Sequence, residues 1–232
     1  MILFALDSAG KTAGVCLVKD DAVLYESYLA TGHTHSETLL TLCDAAFCAT
    51  NLTPADVTVF AANAGPGSFT GLRIGLAALK GLAFPFDTPC APVSTLSALA
   101  YSAVGDGIVA TALDARRGEV YCAAFRLQNG SVTRLTADAA LPAATFAAQL
   151  ATYHAPVRCM GDGAALVCAA DASIALYPAA YRLGRANGIC RAAKALYDAD
   201  ACVAAAQLSP DYHRLSQAQR ERAERTLKGD KI

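Results

Sequence analysis

The sequence predicts an α/β protein in which one architectural unit occurs twice. Three strand-like runs open the chain, an apolar run between turn residues follows, and the same order of elements restarts after Gly105-Asp106-Gly107. A short apolar segment bounded by turns suits a parallel strand covered on both faces. The repetition lies in the order of elements and not in visible sequence identity.

The first unit begins with Ile2–Ser8, Ala13–Lys19 and Ala22–Leu29. Asp20-Asp21 joins the second and third of these runs, as in an antiparallel meander. A helix is predicted from Ser36 to Ala49, with Ser36 as N-cap and Glu37 favourable in the first turn. Val57–Ala62, set between Pro54-Ala55-Asp56 and a Gly-Pro-Gly loop, is the buried parallel strand. Thr70–Ala83 reads as a second helix, Cys90–Val93 as a short strand and Thr95–Val104 as a helix.

In the second unit Ile108–Asp114, Glu119–Leu127 and Ser131–Thr136 read as strands, with the turn Asn129-Gly130 before the third. Helices near Thr145–Thr152 and over Arg185–Asp198 flank a strand at Val157–Met160. The alanine-rich stretch 137–180 offers few other landmarks. Three regions are expected: a first lobe over 1–104, a reduced second lobe over 105–208, and a charged C-terminal helix or tail over 209–232 that packs back on the first lobe.

Composition narrows the function classes. With 54% hydrophobic and 17% charged residues the chain is no disordered segment. A net charge of −1 supplies no bulk basic field for nucleic acid, so any tRNA contact is expected to be indirect or weak. No uninterrupted apolar stretch approaches the ~18 residues of a membrane span, and the opening apolar run is short and lacks a basic leader. Nine cysteines, an odd number without C-x-x-C spacing, indicate free thiols in a reducing compartment, not a disulfide framework or zinc site. A cytoplasmic protein without membrane attachment is expected.

The segment from Ala61 to Gly75 runs from a strand through the glycine-rich Gly65-Pro66-Gly67-Ser68 into a helix. Free backbone N–H groups at such a helix start are a common phosphate cradle. Neither a Gly-Lys-Ser/Thr follows, as in a P-loop, nor does the spacing to Gly71 fit the dinucleotide fingerprint. On spacing alone these glycines serve close helix–strand packing. Asp7-Ser8-Ala9-Gly10-Lys11-Thr12 is a second candidate, similar to the first phosphate loop of actin-like ATPases and sugar kinases. Its counterpart, Asp114-Ala115-Arg116-Arg117-Gly118-Glu119, has the aspartate but two bulky arginines where backbone should approach a phosphate. Arg116 and Arg117 either grip an anion or a partner's carboxylate, or form a solvated hairpin tip.

Searches for other chemistry return little. His33-x-His35 lacks the i, i+4 spacing of a helical metal pair, and His154 and His213 stand far from it. Ser68 lies outside any Gly-x-Ser-x-Gly elbow. The arginines Arg214, Arg220, Arg222 and Arg225 gather on a predicted C-terminal helix over Gln217–Leu227, a charged surface helix with RNA phosphate contact as the sharper alternative. The two N-terminal helices say more as surfaces. Leu39, Leu40, Leu42, Cys43, Ala46 and Phe47 make one apolar arc on the first. On the second, Leu72, Ile74, Leu76, Leu79, Leu82 and Ala83 spread around the circumference, with Arg73 and Lys80 as the charged stripe. Such a helix is either central to its own domain or covered by another chain; the poverty of surface charge favours a partner.

Taken together, these segments resemble the TsaB family. The matching blocks are Ile2-Leu3-x-x-Leu6-Asp7-Ser8, His35-Ser36-Glu37-x-Leu39-Leu40, Gly65 through Gly75, and Asp114-Ala115-Arg116-Arg117-Gly118-Glu119-Val120-Tyr121. Pro210-Asp211-Tyr212-x-Arg214, with Gln217-Ala218-Gln219-Arg220-Glu221-Arg222, matches more loosely, and His213 departs from the usual apolar residue. The resemblance implies an actin-like ASKHA fold of two lobes, the second reduced. It implies a non-catalytic scaffold subunit of the machinery that makes tRNA N6-threonylcarbamoyladenosine, binding TsaD together with the ATPase TsaE, and forming homodimers when TsaD is absent. TsaD-type proteins hold a metal through H-x-x-x-H, a pair missing here, so neither metal nor catalytic residue is implied. No cofactor of its own is implied, although a nucleotide at the TsaD interface is compatible. His35, Leu39, Leu42, Phe69, Arg73, Leu76 and Lys80 become interface residues by resemblance, and Asp7, Gly65, Gly67, Ser68 and Asp114 the trace of a degenerate phosphate site. A sugar-kinase-like ATP-binding enzyme and a metalloprotease-like protein are the competing readings.

Overall fold

The computed structural model describes residues 1–30 and 34–213. The helix expected over Gln217–Leu227 and its arginines lie outside the described residues, as does His33. The first unit runs β1 (Ile2–Asp7), β2 (Ala13–Lys19), β3 (Ala22–Leu29), α1 (His35–Thr50), β4 (Val59–Gly65), α2 (Phe69–Ala83), β5 (Cys90–Ser94) and α3 (Thr95–Ser102). The second runs β6 (Gly107–Arg116), β7 (Glu119–Gln128), β8 (Ser131–Arg134), β9 (Ala139–Pro142), α4 (Ala143–Ala151), β10 (Val157–Met160), α5 (Ala164–Ala170), β11 (Ala175–Leu176) and α6 (Ala186–Asp198).

The two sheets have the same plan. The first has the order β3-β2-β1-β4-β5, and the second reads β8-β7-β6-β10-β11 when taken in the same sense. In each, an antiparallel meander is extended by two parallel strands. This is the duplicated α/β architecture expected from the sequence, with a second sheet reduced at its far edge to the two residues of β11. Strands β9 and β11 and helix α5 lie in the alanine-rich stretch and were not expected from the sequence.

Layers follow from which faces are apolar. Helices α1 and α2 cover one face of the first sheet, around Phe4, Leu6, Phe60, Leu76 and Leu79. Helices α3 and α6 cover the other, around Leu3, Val18, Val59 and Ile189. The second side of α3 then meets the second sheet through Leu96, Leu99, Phe125 and Tyr177, while α4 and α5 close that sheet's far face. With both faces of the first sheet covered, β1 and β4 read as continuous apolar runs. Helix α6 approaches α3 closely because Gly188 has no Cβ, which would lie 2.0 Å from Ser102 Oγ.

Gly105-Asp106-Gly107, after which the order of elements restarts, leads directly into β6. Its carbonyls are gripped from across the second sheet. Arg158 donates to the carbonyls of Val104, Gly105 and Asp106 at 3.2, 3.0 and 3.0 Å, and Tyr177 Oη donates to Val104 O at 2.6 Å. A second tie joins β8 to the start of α3, where Arg134 binds Asp138 and the Ser97 hydroxyl at 2.5 Å.

The continuous helical run Phe69–Phe86 has 18 residues and a mean hydropathy of 1.2, enough by length and composition to cross a membrane. In this fold its Leu72, Leu76, Leu79 and Ala83 are buried against the first sheet. The run is a core helix with one open side.

Candidate functional site

Two places hold the residues singled out by the sequence: the cleft between the lobes and the outer face of α1 and α2. At the cleft floor, Asp7 ends β1. Its Oδ1 accepts hydrogen bonds from Ala9 N–H at 3.1 Å and Asn63 Nδ2 at 2.9 Å. Burial raises the Asp7 pKa, an effect these two bonds and nearby His35 partly offset. Asn63 Oδ1 and Thr95 Oγ1, both buried, meet no hydrogen-bond partner among the described residues. The cavity they line with Asp7, Lys11, Thr12, Asp162 and Arg185 measures about 70 Å³. Small-molecule sites begin at about 300 Å³.

The glycine block is filled by the chain itself. Ser68 N–H donates to Ala9 O at 2.7 Å, and Ser68 Oγ caps α2 by accepting from Gly71 N–H at 3.2 Å. A Cβ on Gly67 would lie 2.6 Å from Ala9 O, and one on Gly71 2.0 Å from Ser8 O. Gly65 faces elsewhere, against Asp211, whose N–H donates to Ala64 O at 2.7 Å. Two N–H groups at this helix start, those of Ser68 and Gly71, are therefore spent, and the glycines permit backbone to touch backbone.

The counterpart hairpin is tight. Arg117 and Gly118 have positive φ, 58° and 78°, as the two central residues of a primed turn require, and Arg116, at 69°, follows a register shift at the end of β6. Asp114 Oδ1 accepts from Arg116 N–H at 2.7 Å, and Asp114 N–H donates to Asp162 Oδ1 at 2.9 Å. Gly67, Ser68 and Asp114 share an opening of about 330 Å³ with Lys11, Arg116 and Asp162. Two cations and two carboxylates give it no net sign. Of the expected phosphate trace, Asp7 sits behind this opening and Gly65 outside it.

The second place is open and apolar. Helix α1 begins with a capping box between Thr34 and Glu37, and His35 Nε2–H donates to Gly10 O at 2.9 Å, fixing the helix to the first hairpin. Leu40 is 60% exposed, although the helical wheel places it in the apolar arc. Leu40, Phe47, Leu52, Pro54 and Leu82 line a groove of about 580 Å³. Beyond the end of α2, Phe84 and Phe86 are 66% and 48% exposed. On α2, Arg73, Ala77 and Gly81 face solvent. At its start the Tyr212 ring stacks on Phe69, 3.9 Å between centroids and 3° from parallel. Arg73 lies over both rings and donates from Nε to Tyr212 Oη at 2.8 Å.

The comparisons with known proteins bear on both places. The family model of TsaD, tRNA N6-adenosine threonylcarbamoyltransferase, matches residues 29–214. The tRNA threonylcarbamoyladenosine biosynthesis protein TsaB of Bacillus subtilis is 33% identical over 176 residues, spanning 72% of this chain and 73% of that protein. The chain belongs to the TsaB family. The TsaB protein of Escherichia coli is 35% identical over 134 residues, 56% of this chain and 58% of its own. Among solved structures, YeaZ from Pseudomonas aeruginosa aligns with a TM-score of 0.77 at 28% identity, covering 91% of this chain and 99% of that one. A structure described as an uncharacterized protein with similarity to peptidase YEAZ, from the same organism, aligns at 0.80 and 28%, covering 92% and 99%.

Within this TsaB-family chain the seven residues expected at an interface divide in two. Arg73 is exposed, and His35, Leu42, Phe69 and Lys80 are half-buried. Leu39 and Leu76 are 1% and 3% exposed and point into the core. Leu40, Phe84, Phe86 and Tyr212 belong to the open face and were not singled out. Leu40 looked like core, and the partners of Tyr212 lie 139 residues away in sequence. No group of three or more His, Cys, Asp or Glu is placed to hold a metal among the described residues.

Proposed function

We propose that this chain is a non-catalytic partner subunit in the synthesis of tRNA N6-threonylcarbamoyladenosine. In this reading it supports a TsaD homologue, with TsaE as a further member of the assembly. One contrast carries it. The glycine block before α2 is filled here by Ala9, Ser8 and Asp211 carbonyls and the opening between the hairpins has no net sign, whereas α1 and α2 present an unfilled apolar groove. Family membership and the named relatives support the pathway.

The face suggests its partner's chemistry. An apolar centre of Leu40, Ile74 and Leu82 is flanked by the cations Arg73 and Lys80. A complementary surface places apolar side chains centrally and carboxylates at the rim. The same face would join two copies of the chain when the TsaD homologue is absent. Leu39 and Leu76 act beneath it, holding the helices in place. The chain needs no cofactor of its own, a nucleotide being compatible only at the interface with the TsaD homologue; tRNA contact falls mainly to the partner, and the assembly works in the cytoplasm without a membrane.

Charge reversal tests the assignment. Arg73→Glu and Lys80→Glu are expected to keep the circular dichroism and Tm of the parent and to weaken binding to the TsaD homologue about tenfold or more, which is ~1.4 kcal/mol. Lys80→Glu leaves Tyr212 alone and so separates rim charge from the aromatic stack. Unchanged affinity in both variants contradicts the assignment.

A further inference from the structure

Residues 208–213 follow the second lobe in sequence but lie on the first. Leu208 is buried in the core beneath α2. Asp211 N–H donates to Ala64 O at 2.7 Å, and Asp211 O occupies the space where a Gly65 side chain would stand. These anchors set Tyr212 down at the start of α2, beside Phe69 and Arg73.

There Tyr212 acts on Arg73 in two ways. Its ring stacks on Phe69, and the guanidinium lies against the stacked pair, 4.9 Å from the Phe69 centroid and 5.7 Å from that of Tyr212. Its hydroxyl oxygen accepts from Arg73 Nε–H at 2.8 Å. Ring contact and hydrogen bond together hold the guanidinium in one orientation. Its terminal nitrogens, Nη1 and Nη2, meet no hydrogen-bond or ion-pair partner among the described residues. Other arginines differ in this respect: Arg134 is spent on Asp138, and Arg158 on three backbone carbonyls. Arg73 is exposed, on the same side of α2 as Ala77 and Gly81, whose small size leaves room around it.

We propose that Phe69, Arg73 and Tyr212 form a preset receptor for a carboxylate of the TsaD homologue, in which Tyr212 is the positioning residue. A planar guanidinium with both terminal nitrogens free matches the two oxygens of a carboxylate. An ordinary surface arginine gives up rotamer freedom when it binds, and that loss weakens the complex. Here folding has already fixed the side chain, so the partner's carboxylate meets a donor pair in its binding pose. The proposal rests on the partner-subunit reading above and extends it: the surface that meets the partner includes the segment after the second lobe, not α1 and α2 alone.

Tyr212→Phe keeps the ring stack and removes the acceptor for Arg73 Nε–H, at an exposed position where the parent's Tm is expected to be retained. Titration calorimetry of the full chain against the TsaD homologue is expected to show this variant binding about two- to tenfold more weakly than the parent. Arg73→Met is expected to bind at least as weakly and to lose part of the salt dependence. In the double variant the Tyr212 change is expected to add nothing, because a hydroxyl without a guanidinium has nothing to orient. Tyr212→Phe binding as tightly as the parent, while Lys80→Glu binds weakly, overturns this inference and leaves the partner reading standing. Additive losses in the double variant also overturn it, since Tyr212 would then act on the partner without Arg73. A parent chain that binds no TsaD homologue defeats the partner reading and this inference together.

Discussion

At the scale of single residues, the glycines and Asp7 make the clearest predictions. Gly71 and Gly81 lie on the same helix but in opposite settings. A Cβ at Gly71 would meet Ser8 O at 2.0 Å, while Gly81 has nothing within 4 Å. Gly71→Ala is therefore expected to cost ~1–3 kcal/mol through forced backbone movement. Gly81→Ala should instead add ~0.5–1 kcal/mol, since alanine is the better helix former. Urea unfolding of both variants reads the difference, and equal effects would contradict the packing account of the glycine block. That block was legible as a turn entering a helix, and its spacing already argued for packing. Which backbone fills it was not, because Ser8, Ala9 and Asp211 reach it from distant parts of the chain.

Asp7 supplies a pH dependence whose sign follows from burial. Its folded-state pKa is raised above the ordinary 3.8, chiefly by desolvation, so the folded state holds the proton more tightly than the unfolded chain. Stability from this group is fully present below pH 3.8 and is lost as pH rises through the folded value. Asp7→Asn keeps a carbonyl oxygen for Ala9 and Asn63 and removes the titration. The variant is expected to unfold at a higher temperature than the parent at pH 7 and to lose that advantage below about pH 3.8. Thermal melts across this range check it; a variant less stable than the parent at pH 7 would contradict it.

At the scale of elements, α1 tests whether core and surface have been separated correctly. Leu39 and Leu40 are adjacent in sequence, yet one is buried and the other 60% exposed. Leu39→Ala is expected to cost ~2–5 kcal/mol by leaving a cavity beside Phe4 and Phe60, and Leu40→Ala to stay within about 0.5 kcal/mol. Denaturation midpoints decide. The sequence located α1, α2 and their apolar residues to within a turn, because a 3.6-residue period is a strong signal. It could not say that Leu40 escapes the core, since a broad apolar arc looks the same whether another chain or the same chain covers it. The missed elements have a different cause. Strands β9 and β11 and helix α5 are two to seven residues long and built largely of alanine, which carries little periodicity. Tertiary contacts, not local propensity, hold them.

At the scale of the whole molecule, duplication explains both what is built and what is lost. Two sheets of one plan flank α3, with α6 packed on α3 and the first sheet, the geometry in which two hairpins face one another across a cleft. In this chain Ser68 N–H is spent on Ala9 of the first hairpin, and the second hairpin is closed on Asp114. The space divides into a cavity of about 70 Å³ behind and an opening of about 330 Å³, of no net sign, between the hairpins. The open surface has moved to the outside, to α1 and α2. The central claim is that this outer face, and not the cleft, is where the protein works. Size-exclusion light scattering of the chain mixed with its own organism's TsaD homologue, with and without ATP, tests it most directly. The account predicts a defined heteromeric complex and no tight ATP binding by this chain alone. Absence of a complex under both conditions, together with tight ATP binding by the isolated chain, would contradict it.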